Sequence, residues 1–326
     1  MSETYSLGID IGGTKIEVCL VQFSSNQDLE NKLALDEKNI RSFTICNKAR
    51  IPTERQKGYN DVLKRLKLLV SSLITSSNLA PTKIKMIGVG MPGSVHPTTL
   101  KMIHGNSDIF ANKDIKGDLL EFFNLQLQTS PQVFINNDAN CFALAEALGG
   151  AGTSFQSETK VPFNKQVSIG VILGTGCGGG VVINGKLLTG KMGGGGEIGH
   201  TTLVNDGRDC YCGKKGCAEL YLSGSGFEIS FNLKNSSMSE DTLKAKEIFD
   251  LIGTSNETVA LAVIEDYQED LLRFLGNLSN IFDPHFFVFG GGLSNQDAIY
   301  SNLESKLKEI NFLKDYSPKI YKNLLG

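Results

Sequence analysis

The same local pattern occurs twice in this chain, once near the N-terminus and once about halfway along. Residues 5–23 (YSLGIDIGGTKIEVCLVQF) and 167–185 (VSIGVILGTGCGGGVVING) each place a glycine-rich turn between two runs of aliphatic and β-branched residues. Such runs on either side of a short turn predict a strand–turn–strand hairpin. The two copies lie too far apart for a solenoid repeat, so the pattern predicts two related domains that each open with a hairpin.

The segments around the hairpins predict alternating helices and strands. Residues 59–74 carry apolar side chains at helical spacing, and residues 133–150 predict a strand followed by a helix. Residues 151–166 are the best candidate for a linker or loop. The alternation favours α/β domains with partly parallel sheets, and a length of 326 residues favours two domains. We place a small N-terminal lobe at 1–130 and a larger C-terminal lobe at 131–326.

Charge and hydropathy exclude several classes of protein. The formal net charge is -3 and 40% of the residues are apolar, without a basic stripe that would suggest a nucleic-acid partner. We find no run of 18 apolar residues that would span a membrane, and no secretory signal at the N-terminus. We therefore expect a cytoplasmic protein whose cysteines are reduced.

The first glycine turn follows an acidic residue. Asp10 precedes Gly12, Gly13, Thr14 and Lys15. Backbone N–H groups in such a turn can bind phosphate, and a carboxylate beside the phosphate requires a cation such as Mg²⁺ between them. The turn is not a P-loop, and it leads into a strand rather than a helix, so it is not a dinucleotide fingerprint. The pattern thus indicates a site for a metal-bound nucleotide, with a structural hairpin as the alternative.

Two further glycine clusters have the same alternatives. The second hairpin turns at Gly174, Thr175 and Gly176, and a third cluster, Gly290, Gly291 and Gly292, ends a predicted strand near the C-terminus. Glycine permits a close approach of the backbone to a phosphate, a ribose or a base. The third cluster is a weak signal when taken alone.

Three of the seven cysteines lie within the eight residues CYCGKKGC. Because we expect reduced thiols, Cys210, Cys212 and Cys217 are a more plausible metal site than a disulfide framework. The spacing C-x-C-x₄-C is not the common spacing of a zinc finger, so by itself it leaves a metal-free loop open. Asp138, in the segment NNDAN, lies where a strand is predicted to lead into a helix; it is either an N-cap or a functional carboxylate.

Taken together, these motifs resemble the ROK family of sugar kinases. The segments DIGGTK, NNDANCFALAEA, LGTGCGGG, GEIGH, CYCGKKGCAE and DPHFFVFGGGLSN occur in the family's order between residue 7 and about residue 296. The resemblance implies a two-lobed, actin-like ATPase fold of the ribonuclease H-like type, with ATP and sugar bound in the cleft between the lobes. It implies transfer of the γ-phosphoryl group of ATP, with Mg²⁺, to the 6-hydroxyl of a hexose by a homodimer.

The resemblance also implies roles for individual residues. Asp138 matches the catalytic base, and His200 joins the three cysteines as the fourth ligand of a structural Zn²⁺. The glycine turns match the family's ATP-binding segments. The positions that match sugar contacts are Asn137, Asp138, Glu197, His200 and Glu219, with Ser94 and Asn106 matching less firmly.

The substrate is open at this level. Some segments resemble the fructokinase or mannokinase branch and others the N-acetylglucosamine kinase branch; we expect fructose first, then N-acetylglucosamine, then glucose. The same family contains sugar-responsive repressors that carry a helix-turn-helix domain before the first glycine turn. Few residues precede that turn here, so we expect an enzyme.

Overall fold

Two five-stranded sheets organise the chain. The computed structural model describes residues 4–23, 43–96, 98–99, 101–104, 108–235, 243–255, 257–314 and 316–325. It separates into unit 1, comprising Met1–Cys141 and Thr189–Gly195, and unit 2, comprising Phe142–Leu188 and Gly196–Gly326.

The sheet of unit 1 has the strand order β3-β2-β1-β4-β7. Strands β1, β2 and β3 are antiparallel neighbours, whereas β4 runs parallel to both β1 and β7. A separate two-stranded ribbon pairs β5 with β6. The bounds are β1 Thr4–Ile11, β2 Lys15–Phe23, β3 Phe43–Pro52, β4 Ile84–Met91, β5 Ser94–Val95, β6 Met102–His104, β7 Gln132–Asn137, α1 Tyr59–Ser76 and α2 Ile115–Gln126.

The core of unit 1 follows the sequence pattern. Alternate residues of β1 point into it, and Leu7, Ile9 and Ile11 are all buried. Helix α1 buries the apolar face that its spacing predicts. Helix α2 begins at an N-cap aspartate, Asp114, whose side chain accepts a hydrogen bond from the N–H of Gly117.

The sheet of unit 2 has the order β10-β9-β8-β11-β12. Strands β8, β9 and β10 are antiparallel neighbours, and β11 runs parallel to both β8 and β12. The strand bounds are β8 Val167–Leu173, β9 Cys177–Ile183, β10 Lys186–Leu187, β11 Phe286–Gly290 and β12 Lys319–Lys322. The helices are α3 Asp138–Gly149, whose first four residues belong to unit 1, α4 Ala151–Thr159, α5 Glu219–Leu222, α6 Gly224–Lys234, α7 Ala245–Phe249, α8 Glu257–Phe282 and α9 Leu303–Ile310.

Both predicted hairpins and the predicted α/β class are confirmed. One prediction is wrong: residues 151–166 are not a loop, because they contain α4. The buried Glu146 carboxylate accepts the N–H of Ala151 at 3.0 Å, and Ala151 and Phe155 are buried in one cluster with Phe286. The lobe bounds 1–130 and 131–326 stay a prediction. Among the described helices, none is long and apolar enough to cross a membrane.

Candidate active site

Two predicted site carboxylates come together in unit 1. Asp10 of β1 lies opposite Gly90 of β4, and Gly90 lies opposite Asn136 of β7. Asp138 begins α3 directly after β7 ends. A Cβ placed on Gly90 would lie 3.7 Å from the Cα of Asp138, so the missing side chain lets α3 begin close to β4. The sheet register therefore gathers Asp10 and Asp138 at the carboxyl ends of parallel strands.

The surroundings of Asp10 disfavour its charged form. Desolvation, together with the negative charge of Asp138, raises the pKa of Asp10 from 3.8 to about 6, and the ammonium group of Lys15 opposes the shift. Asp10 is nonetheless open to solvent at the surface of unit 1. A carboxylate that is accessible, partly desolvated and beside another acid is a suitable ligand for a divalent cation.

Asn137, not Asp138, caps helix α3. The Oδ1 of Asn137 accepts the backbone N–H of Asn140 at 3.1 Å, which is the N-cap geometry. The Nδ2 of Asn137 donates to the carbonyl of Gly93 at 3.1 Å, and this fixes the loop after β4. The Oδ1 of Asp138 accepts the adjacent N–H of Ala139 at 2.8 Å. The capping role that the sequence left open for Asp138 thus falls to its neighbour.

The first glycine turn joins β1 to β2. The N–H of Gly12 donates to the carbonyl of Lys15 at 2.8 Å, which closes the turn. The hydroxyl of Thr53, a fully buried residue, donates to the carbonyl of Gly12 at 2.7 Å, and its N–H donates to the carbonyl of Thr14 at 2.9 Å. No local motif identifies Thr53 in the sequence, because its hydrogen-bond partners lie about 40 residues away along the chain.

Ser94 and Asn106 are the remaining predicted sugar contacts in the N-terminal part of the sequence. Ser94 lies in β5, paired with the backbone of His104 and next to Gly93, the residue that Asn137 holds. Asn106 lies outside the described residues.

In unit 2, the second and third glycine clusters lie together. The N–H of Gly174 donates to the carbonyl of Gly176 at 3.0 Å. Gly291 has a φ of 85°, and a Cβ on it would lie 2.6 Å from the carbonyl of Leu173. The N–H of Gly224, at the start of α6, donates to the carbonyl of Gly174 at 2.7 Å. Close backbone packing thus requires glycine at position 291.

The predicted sugar contact Glu219 is attached to the second turn. Its Oε2 accepts the N–H of Cys177 at 3.1 Å, and a Cβ on Gly176 would lie 2.6 Å from the same oxygen. Burial and the negative charge of Glu219 together raise the pKa of the Cys177 thiol well above its usual range. The carboxylate therefore connects α5 to the glycine turn.

His200 and the three cysteines form one cluster. The nearest ligand atoms of His200, Cys210, Cys212 and Cys217 all lie within 4.8 Å of one another. The Nδ1 of His200 lies 3.7 Å from the sulfur of Cys210, and the sulfurs of Cys212 and Cys217 are 3.6 Å apart. Ligands at the corners of a tetrahedron around Zn²⁺ are separated by about 3.3–3.8 Å, given metal–ligand distances of about 2.0–2.3 Å. The four side chains fit a zinc ion.

The other nitrogen of His200 has its own partner. Its Nε2 lies 2.9 Å from the hydroxyl of Tyr211, and the two rings meet edge to face. This contact orients Nδ1 towards the cysteines. Glu197 is exposed, and its carbonyl accepts the N–H of His200 at 3.2 Å. Sequence reasoning missed Tyr211, although its place between two cysteines was a usable signal.

An arginine braces the cysteine loop. Arg208 donates to the carbonyls of Leu220 and Gly226, and its guanidinium stacks 4.6 Å from the ring centre of Tyr221. These contacts tie the loop to α5, which begins with Glu219. Sequence reasoning missed Arg208, because a single arginine in a loop carries no pattern.

Comparison with known proteins identifies the family. The model of the ROK family matches residues 6–322. The N-acetyl-D-glucosamine kinase of Haemophilus influenzae (strain 86-028NP) is 33% identical over 311 residues, which cover 92% of this chain and 88% of that protein. The chain belongs to the ROK family.

Solved structures share the fold of this ROK-family chain. A ROK family glucokinase from Streptomyces griseus, in complex with glucose and AMPPNP, matches with a TM-score of 0.73 and 22% identity, covering 99% of this chain and 95% of that one. A ROK family transcriptional regulator, a homologue of the E. coli MLC protein, matches with a TM-score of 0.75 and 19% identity, covering 99% and 74%. The predicted actin-like ATPase fold is confirmed. Because an enzyme and a regulator share it, the fold alone does not decide the function.

Proposed function

We propose that this ROK-family sugar kinase transfers the γ-phosphoryl group of ATP to the 6-hydroxyl of N-acetylglucosamine. The observation that carries the reaction is the pairing of Asp10 and Asp138 beside the first glycine turn. The choice of sugar rests on relatives from several bacteria that are 32–33% identical and are N-acetyl-D-glucosamine kinases. Fructose, the first expectation from the motifs, becomes the alternative.

Asp138 acts as the general base in this proposal. As the 6-oxygen forms its bond to the γ-phosphorus, the hydroxyl proton passes to the Asp138 carboxylate. The bond from the γ-phosphorus to the bridging oxygen breaks, and its electron pair leaves with ADP. Because Asn137 caps α3, Asp138 does not have to serve the helix.

Asp10 would hold the Mg²⁺ that accompanies ATP, and that ion would neutralise charge on the phosphates. The first turn would bind phosphate through N–H groups other than that of Gly12, which donates to the carbonyl of Lys15. The second turn and the cluster at Gly290, Gly291 and Gly292 would bind the rest of the nucleotide. The cleft between the lobes and the homodimer stay predictions.

The sugar would contact Ser94, Asn106, Asn137, Glu197, His200 and Glu219, as the resemblance implies. The amide of Asn137 and the carboxylate of Glu219 each have a backbone hydrogen-bond partner. Each group also has hydrogen-bonding capacity left for a sugar hydroxyl.

His200, Cys210, Cys212 and Cys217 would bind a structural Zn²⁺. With four protein ligands the ion has no position for a reactive water, so its role is to fix the loop that carries His200 and leads to Glu219.

The experiment is a coupled ADP-release assay with N-acetylglucosamine, fructose, mannose and glucose, followed by identification of the phosphorylated carbon by NMR. The proposal expects the highest kcat/KM for N-acetylglucosamine and a 6-phosphate product. A preference for fructose would replace the sugar but keep the reaction. No ADP release with any of the sugars would refute the kinase.

A further inference from the structure

The segment that follows β3 is fastened to the first glycine turn. Thr53 is fully buried, and its two hydrogen bonds reach the carbonyls of Gly12 and Thr14. The short 3₁₀ helix Arg55–Lys57 begins two residues later. The position of that helix relative to the turn is therefore set within unit 1 by short, buried contacts.

Glu54 makes a bend between Thr53 and this helix. Its φ is 52°, a left-handed conformation that is unfavourable for a residue with a side chain. The bend is held from several directions: the Glu54 carboxylate pairs with Lys57 and, at 3.2 Å, with Arg65. Arg65 also donates to the carbonyl of Pro52 at 2.8 Å. Backbone strain that is held by several contacts is common at functional sites. The strained conformation of Glu54 therefore indicates a functional need for the orientation of the next residue, Arg55.

The bend directs Arg55 back over the turn. Its Nη1 lies 3.6 Å from the position that a Cβ on Gly13 would occupy. Lys57 and Arg65 share the charge of Glu54, and within the described part of the chain the Arg55 guanidinium has no hydrogen-bond or ion-pair partner. A cation with unused donors thus lies beside N–H groups that suit an anion.

We propose that Arg55 is a catalytic residue that binds the γ-phosphoryl group of ATP. The inference rests on the proposed kinase activity. Of the three phosphates of ATP, we assign the γ-phosphoryl group to Arg55. The glycine turn beside Arg55 follows Asp10 directly, and Asp10 is close enough to Asp138 for the two charges to interact. The transferred group must lie next to the base that activates its acceptor. Charge builds up on the phosphoryl oxygens during transfer, and an arginine can donate two hydrogen bonds to them.

The test compares Arg55→Ala with Arg273→Ala, which removes an exposed arginine from α8 in unit 2. Arg55→Ala is expected to lower kcat by about 10²-fold or more, as the loss of an arginine or an oxyanion donor does elsewhere. Arg55→Lys keeps the charge without the planar fork, so it should recover only part of that loss. Calorimetry should show weaker binding of ATP to Arg55→Ala but unchanged binding of ADP and of the sugar.

Two results would overturn the assignment: a kcat within about threefold of the Arg273→Ala control, or equal losses of affinity for ATP and ADP. The nucleotide-binding measurements do not depend on the sugar. If the wild type phosphorylates none of the four sugars, the proposed function fails, while the difference between ATP and ADP still decides the role of Arg55.

Discussion

Replacing Asp138 with asparagine separates its chemical role from its structural role. The side chain keeps its size, and helix α3 keeps its cap, because Asn137 accepts the N–H of Asn140. A negative charge in the first turn of a helix contributes about 0.3–1 kcal/mol to stability. The loss of that contribution is opposed by relief of the repulsion between Asp138 and Asp10. We expect the free energy of unfolding to change by less than about 1 kcal/mol.

The effect on rate should be much larger. A general base is worth about 10²- to 10⁴-fold in rate, which is roughly 3 to 5 kcal/mol of activation free energy. Asparagine cannot accept the proton, so kcat should fall by that factor at saturating sugar and ATP. The affinity for the sugar should change far less, because the amide oxygen still accepts a hydrogen bond.

Asp114→Asn is the matched control, since Asp114 caps α2 in the same unit through the N–H of Gly117. Asparagine and aspartate cap helices about equally well, so this variant should keep both stability and turnover. Turnover and sugar calorimetry are measured for both variants, with thermal melts to confirm folding. If Asp138→Asn turns over sugar like the control, Asp138 is not the base.

Four further predictions test the metals, the charge of Asp10 and the tertiary structure. Purified protein should contain about one zinc per chain, and Cys212→Ser should lose the zinc and lower both the melting temperature and the sugar affinity. The control Cys46→Ser changes an exposed cysteine and should alter neither quantity. Full activity without zinc would contradict the prediction. The pKa of Asp10 is about 6 without metal, so the Mg²⁺ concentration for half-maximal turnover should rise as pH falls through about 6 and stay level above it. The same raised pKa means that the contribution of Asp10 to stability decreases as pH rises from about 4 to about 6, a slope that urea titrations of Asp10→Asn should lack. Glu146→Gln should cost about 1–3 kcal/mol in urea unfolding, because the buried carboxylate accepts three backbone N–H groups, whereas Glu158→Gln at the surface should cost little.

The sequence predicts those helices and strands whose apolar residues recur at regular spacing and form the buried face. The two hairpins and α1 carry patterns of period 2 and 3.6 that the core of each unit uses directly. Helix α4 was missed because glycine, serine and threonine make its local propensity weak. It forms because Glu146 caps it from the preceding helix and Phe155 is buried in the small cluster with Phe286.

The sequence indicates candidate site residues, but it does not indicate the hydrogen-bond partners of their side chains. The motif NNDAN left open whether Asp138 caps the helix, and only the hydrogen bond from Asn140 assigns the cap to Asn137. Thr53 and Arg55 have ordinary sequence surroundings, and their contacts with the turn depend on the pairing of β2 with β3. Residues that act by position, rather than by a motif, are visible only in three dimensions.

Glu219 shows how a single carboxylate can restrict two parts of unit 2. Its Oε2 is bound to the N–H of Cys177 directly after the second turn, so a sugar would have to use mainly the other oxygen. The same oxygen fills the space beside Gly176, where even an alanine Cβ would approach to 2.6 Å. A change at the glycine turn would therefore displace a group assigned to the sugar, and movement of Glu219 would disturb the turn assigned to ATP. Arg208 limits that movement by tying the cysteine loop to the carbonyls of Leu220 and Gly226. Within unit 2, the position of the proposed sugar contact is thus coupled to the shape of the proposed nucleotide turn.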